Sequence, residues 1–172
     1  MDIVEISSRT WYPSTVSSKI RALRELKKMT AAAQSEGKKV VFTNGCFDLL
    51  HCGHLHLLRE AKKLGDLLVV ALNSDSSIKK IKGPSRPILP ETERAELIAA
   101  LEMVDYVTSF DDPEPFVAIK ELRPNVLVKG GDWSKENIVG TDTVEGDGGE
   151  VVVIPYMKGY SSTQIIERIR KS

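Results

Sequence analysis

Two histidines, His51 and His54, stand three residues apart in the run Asn44-Gly45-Cys46-Phe47-Asp48-Leu49-Leu50-His51-Cys52-Gly53-His54. An apolar strand pattern over residues 39–43 precedes the run, and a helical pattern over 55–64 follows it. At the start of a helix that spacing puts both rings on one side, one turn apart. A strand-to-helix turn also presents unpaired backbone N–H groups and the positive end of the helix dipole, a setting that suits a polyphosphate. Two imidazoles titrating near neutrality can hold the charge that builds up as a phosphoanhydride breaks. Gly45 and Gly53 let backbone approach such a ligand closely, and Asp48 is suited to fixing the turn or a neighbouring donor.

The same stretch admits a metal reading, because Cys46, His51, Cys52, His54 and His56 are crowded together. Against it, His51 and Cys52 would face different sides of a helix, and the paired ligand spacings of zinc sites are missing. No metal ligand is assigned, and His56 is read as a packing or solvent-facing residue.

Three more clusters carry groups that bind anions or nucleosides. Lys79-Lys80-Ile81-Lys82-Gly83 concentrates cations, which reads as a solvated face or as an anion site. Lys129-Gly130-Gly131-Asp132-Trp133 combines two glycines that make room for a ligand, a carboxylate able to accept from a ribose hydroxyl or base amine, and an indole able to cover a ring. Ser161-Ser162-Thr163 reads as a helix N-cap, and its hydroxyls and N–H groups suit phosphates. Glu93-Arg94 opens a helix and reads equally as a surface charge pair or as support for the site.

Strand patterns at 40–43, 67–72, 106–110, 126–128 and 151–154 alternate with helical ones at 53–64, 76–80 (short), 91–101, 114–122 and 162–171. Another helical spacing, Ile20, Leu23, Leu26 and Ala33, runs over 18–34 and stops before Gly37. Residues 83–90 and 140–149 read as loops. The alternation predicts an α/β, Rossmann-like, open and mostly parallel five-stranded sheet with helices on both faces. In such sheets the ligand crevice lies beyond the carboxyl ends of the strands, where all the polar clusters fall. Residues 1–37 are read as an N-terminal extension with one helix and 38–172 as the catalytic domain.

A chain of 172 residues with 41% hydrophobic and 28% charged residues fits one soluble domain. Lys+Arg and Asp+Glu are both 24, a balance that argues against nucleic acid as a partner. The two cysteines suggest no disulfide framework. No apolar stretch approaches a membrane span, and no leader pattern opens the chain, so no membrane partner and a cytoplasmic location are expected. P-loop, Gly-x-Gly-x-x-Gly and Gly-x-Ser-x-Gly motifs are missing, which disfavours an ordinary kinase, dehydrogenase or hydrolase.

The segment Gly45-x-Phe47-Asp48-x-x-His51-x-Gly53-His54 resembles the HxGH signature of the cytidylyltransferase-like nucleotidyltransferases. Ser161-Ser162-Thr163 with Ile165 is similar to that family's second signature, although Tyr156-Met157-Lys158 stands where many relatives carry an arginine, leaving Lys158 as its replacement. Within the family, residues 37–48, Asn73-Ser74-Asp75, Lys82-Gly83 with Arg86-Pro87, 128–132 and 148–151 look like the adenylyltransferase module of bacterial ADP-heptose synthesis. The resemblance implies transfer of AMP from ATP to D-glycero-β-D-manno-heptose 1-phosphate, with Mg²⁺ accompanying ATP. It implies His51, His54 and Lys82 as catalytic groups. It implies Gly45, Cys46, Phe47, Asp48, Gly53, Arg94, Lys129, Gly130, Asp132, Ser161, Ser162 and Thr163 around the nucleotide, and Lys80 and Trp133 around the sugar phosphate. It further implies a homodimer, with a separate heptose kinase and phosphatase preparing the substrate. The alternative within the family is a CTP-dependent glycerol-3-phosphate cytidylyltransferase; outside enzymes, it is a nucleotide-binding regulator.

Overall fold

Five strands, β1 (Val40–Gly45), β2 (Leu67–Asn73), β3 (Tyr106–Phe110), β4 (Val126–Gly130) and β5 (Glu150–Ile154), pair in parallel in the order β3-β2-β1-β4-β5. The computed structural model describes residues 18–131, 133–157 and 159–172. The helices are α1 (Leu23–Ser35), α2 (Cys52–Lys62), α3 (Asp75–Lys82), α4 (Glu91–Ala99), α5 (Phe116–Leu122), α6 (Thr141–Gly146) and α7 (Ser162–Lys171). This is the α/β Rossmann-like architecture that the alternating patterns predict.

The pleat sorts each strand's side chains onto two faces. Val41, Leu68, Val70, Leu72 and Val128 face one core, where Leu58 and Ala61 of α2 and Ile98 of α4 cover them. Val40, Phe42, Val69, Ala71 and Leu127 face the other, under Leu26 of α1, Ile119 and Leu122 of α5 and Val144 of α6. Burial on both faces is why β2 reads as an unbroken apolar run. The helix assigned to the N-terminal extension is therefore laid on the sheet, with Leu26 fully buried.

Three expectations change at the edges. The helical spacing over 18–34 overshoots, because Ile20 bridges Val107 beside β3, and α1 starts only at Leu23. An apolar residue at helical spacing serves equally well against a sheet edge. The segment 140–149, read as a loop, contains α6: its Gly- and Asp-rich composition hides Val144, which is fully buried. Gly149 is packed so closely that a Cβ would lie 2.7 Å from Val144 Cγ1 and 2.8 Å from the Asn125 carbonyl. The third helix is longer than expected, since Ser74 caps it by accepting from the Ser77 N–H.

The chain runs outward from β1 through β2 to β3, then crosses back to β4 on the other side of β1. The sheet order reverses between β1 and β4, and their carboxyl ends open the crevice expected of this topology. Among the described residues no helix is long and apolar enough to cross a membrane.

Candidate active site

The turn that leaves β1 is built around its side chains. Phe47 adopts the left-handed region at φ 45° and is 3% exposed, a conformation uncommon for a large residue. Its ring folds back beneath Gly45, where a Cβ would come within 3.0 Å of it, and its centroid lies 5.0 Å from that of His54. Asp48 points the other way. Its carboxylate accepts from the Arg86 Nε at 2.6 Å and from the Ile88 and Leu89 N–H groups at 2.8 and 3.0 Å. Asp48 lines neither cleft described below; it clamps the 83–90 loop against the turn.

His51 is the N-cap residue of α2 and His54 stands in its first turn. The two rings are stacked, with centroids 3.8 Å apart and planes 19° from parallel. Gly53 makes the stack feasible, because a Cβ there would meet the His51 Nδ1 at 3.0 Å. Burial lowers the pKa of His51, and burial, with His51 and Lys82 adding to it, pushes His54 down to about 3. Both rings are thus neutral near pH 7. Both Nδ1 atoms are buried without a hydrogen-bond partner among the described residues. Unsatisfied buried nitrogens at a strand-to-helix turn mark a place where a ligand completes the bonding.

The lysines of α3 part company. Lys82 lines both clefts, while Lys80 is exposed and lines neither. Two positions along a helix differ by about 200° around its axis, so the pair cannot address one ligand together. Lys80, expected at the sugar phosphate, stands outside the lining of both clefts. Arg94, expected to support the nucleotide site, forms the floor beneath it. It is fully buried, donating to the carbonyls of Cys46 at 2.7 Å, Asn73 at 2.9 Å and Leu89 at 3.1 Å, and to the Asp75 carboxylate at 2.8 Å. One guanidinium therefore ties the β1 exit, the β2 end and the 83–90 loop together.

At the end of β4, the Lys129 ammonium donates to Asn44 Oδ1 at 3.2 Å and sits 5.8 Å from the centroid of the half-exposed Trp133 ring. Burial lowers its pKa. Gly130 packs against Leu57, and Gly131, at φ 131°, leaves room for Tyr156, whose ring a Cβ would meet at 2.8 Å. Asp132 and Lys158 lie outside the described residues. At the start of α7, Ser161 caps the helix by accepting from the Gln164 N–H at 3.2 Å, and Ser162 donates to the Leu49 carbonyl at 3.1 Å. That bond ties α7 to the histidine turn.

Two clefts meet over these residues. One, of about 470 Å³, is lined by residues 44–47, Asn73, 113–115, Lys129 and Trp133. The other, of about 460 Å³, is lined by His51, Gly53, residues 154–157 and residues 159–164. Their common wall is His54, Leu57, Lys82, Gly130 and Tyr156. The structure thus gathers Gly45, Cys46, Phe47, His51, Gly53, His54, Lys82, Lys129, Gly130, Trp133 and Ser161 to Thr163 around one double crevice. Asn44, Asn73 and Tyr156, which stand in the quoted segments without an assigned role, join them, as does Leu57, which no motif singled out. Asn44 and Asn73 do end their strands, which is a signal that strand-end polarity offers. A third hollow of about 270 Å³, beside Phe116 and residues 136–143, contains none of the histidines or lysines.

Among the described residues no group of three or more His, Cys, Asp or Glu is placed to hold a metal ion. Cys46 and Cys52 are free thiols, and the Cys46 Sγ approaches Asn73 Oδ1 at 4.0 Å rather than a ligand set.

A family model described as cytidylyltransferase-like matches residues 42–168. The bifunctional protein HldE of Syntrophotalea carbinolica is 54% identical over 152 residues, which cover 88% of this chain and 31% of that protein. The bifunctional protein HldE of Geobacter metallireducens is 47% identical over 167 residues, covering 97% of this chain and 34% of that protein. The chain thus spans about a third of the length of these curated relatives. Among solved structures, a lipopolysaccharide core biosynthesis protein from Thermoplasma volcanium superposes with a TM-score of 0.59 and 31% identity over 73% of this chain and 100% of that one. A pantoate-β-alanine ligase from Francisella tularensis shares the fold, with a TM-score of 0.56 and 14% identity over 89% of this chain and 78% of that one.

Proposed function

The chain belongs to the cytidylyltransferase-like family, and from that premise we propose that it transfers AMP from ATP to D-glycero-β-D-manno-heptose 1-phosphate, giving ADP-heptose and pyrophosphate. The observation that carries the transferase part is the stacked, neutral pair His51 and His54, with His54 and Lys82 on the wall common to two clefts and His51 lining one of them. Two adjoining clefts that share Lys82 on their wall suit a reaction joining two phosphate compounds. The nucleotide and sugar are supported by the relatives above, together with the segments that resemble the ADP-heptose module.

In this reaction a phosphate oxygen of the sugar 1-phosphate attacks the α-phosphorus of ATP. The new O–P bond forms as the bond from the α-phosphorus to the bridging oxygen breaks, and that oxygen leaves with pyrophosphate. The acceptor is already a nucleophile, so no protein nucleophile is needed and the protein's part is positioning and charge stabilisation. His51, His54 and Lys82 face the charge that grows on the α- and β-phosphates. Ser161, Ser162 and Thr163 face the terminal phosphates across the α2 and α7 starts. Anionic phosphates beside the imidazoles oppose the burial that keeps them neutral, moving both back toward the charged form. Among the described residues no cluster is placed to hold Mg²⁺, which would accompany ATP, held mostly by phosphate and water.

A heptose kinase and a phosphatase must make this acceptor beforehand, on this polypeptide or on others. A homodimer is the proposed assembly, which light scattering on the purified protein would check.

Pyrophosphate release with Mg²⁺ is the test, using ATP and CTP against heptose 1-phosphate and glycerol 3-phosphate. Turnover with ATP and heptose 1-phosphate is expected, with His51→Ala and His54→Ala each losing about a hundredfold or more. Turnover confined to CTP and glycerol 3-phosphate would overturn the substrate assignment. Near-normal rates in both histidine variants would overturn the site.

A further inference from the structure

Among the described residues, Lys129 is the one lysine that lines the larger cleft without lining the smaller one. Its side chain is largely withdrawn from water at the end of β4. A single hydrogen bond, to Asn44 Oδ1, occupies one of its three donors. No ion pair involving Lys129 exists among the described residues, whereas Lys62, Arg86 and Arg94 each have a carboxylate partner. Among the described residues this partly buried ammonium has no carboxylate partner and an incomplete set of acceptors, with only Cys46 opposing the effect of burial on its pKa, an arrangement that is costly in the empty protein. Such an arrangement makes sense where an anion arrives to complete it.

The layout of the clefts says which anion. In-line displacement puts the attacking and leaving oxygens on opposite sides of the phosphorus. The leaving pyrophosphate belongs with the smaller cleft, where His51 and the α7 start with its serines and threonine lie. The attacking phosphate must then enter from the larger cleft, across the His54–Lys82 wall. Lys80, the residue sequence patterning offers for that phosphate, lines neither cleft.

We propose that Lys129 binds the phosphate of the acceptor, with Asn44 orienting its ammonium and the Trp133 ring flanking the group that phosphate carries. This inference rests on the transferase reading but not on which phosphate compound is the acceptor. Asn44 fixes one donor and leaves two for the phosphate oxygens. The anion in turn opposes the desolvation that lowers the Lys129 pKa, so acceptor binding and a charged Lys129 reinforce each other.

The test is titration calorimetry on the full chain, wild type against Lys129→Gln, with Lys129→Arg as the charge-preserving control. The probes are α,β-methylene-ATP with Mg²⁺, then heptose 1-phosphate and glycerol 3-phosphate added to the nucleotide-saturated protein. Lys129→Gln is expected to weaken the acceptor by about tenfold or more while keeping nucleotide affinity within about twofold; Lys129→Arg is expected to recover part of the loss. If glycerol 3-phosphate alone binds and shows that loss, Lys129 stands and the heptose assignment falls. Equal losses for nucleotide and acceptor, an unchanged acceptor affinity in Lys129→Gln, or no binding of either phosphate to the wild type would each overturn the proposal. A melting curve for each variant separates these outcomes from misfolding.

Discussion

The Nδ1 of His51 occupies the space beside Gly53 so closely that a Cβ on that glycine would lie 3.0 Å from it, and 3.1 Å from Cε1. The glycine between the two histidines is thus a steric requirement of their stacking.

Gly53→Ala should therefore displace the His51 ring while leaving α2 intact, since alanine favours helix over glycine. Turnover is expected to fall by about tenfold to a hundredfold, with the melting temperature unchanged or slightly raised. Steady-state kinetics beside a thermal melt would check both, and full activity in this variant would mean that the stack is incidental.

His54 gives stability a defined pH dependence. Its pKa is about 3 in the folded chain, against 6.5 for the free side chain. Between those values the unfolded state binds the extra proton, so its contribution is fully present above about pH 6.5 and is lost as pH falls toward 3. Urea midpoints at pH 7 and pH 5 should differ more for the wild type than for His54→Asn. Equal differences would show that the imidazole is not held neutral.

Arg94→Met should be among the most damaging single changes. It removes the donors for three buried or half-buried carbonyls at once, each costing ~1–3 kcal/mol when left unpaired, and strands the Asp75 carboxylate. A loss of roughly 3 kcal/mol or more is expected in denaturant unfolding. Arg94→Lys should recover little, because an ammonium cannot span the Cys46, Asn73 and Leu89 carbonyls together.

Asp48→Asn keeps an acceptor for the Ile88 and Leu89 N–H groups but surrenders the ion pair with Arg86. The expected outcome is a stability loss of about 2 kcal/mol and faster amide exchange at Ile88 and Leu89. Unaltered exchange at both would disprove the clamp.

Local chemistry was the part of this site that the sequence made visible. His51, Gly53, His54 and the Ser161 cap are read from neighbours within one turn, where spacing and direction are fixed by helix geometry. Arg94 shows what spacing leaves open: its type is plain, but its burial depends on β1 and β2 lying side by side, 21 residues from Asn73 and 48 from Cys46 in sequence. Lys80 and Lys82 look equivalent in a string of letters and are separated only by the helical turn between them. Lys129 reads in the sequence as part of a glycine-rich nucleotide loop, and its proposed place at the acceptor rests on the cleft that it lines. The α6 helix escaped because only Thr141 and Val144 carry its burial.

The double crevice also has a bearing on how such a protein changes. Arg94 and Asp48 lock the histidine turn into the strands and the 83–90 loop, whereas Trp133 and residues 134–139 belong to the β4–β5 connection, away from both anchors. Chemistry and recognition are thus carried on separate stretches of chain. If the acceptor lies in the larger cleft as proposed, substitution in the second stretch would alter what is accepted while the histidine turn stays as it is.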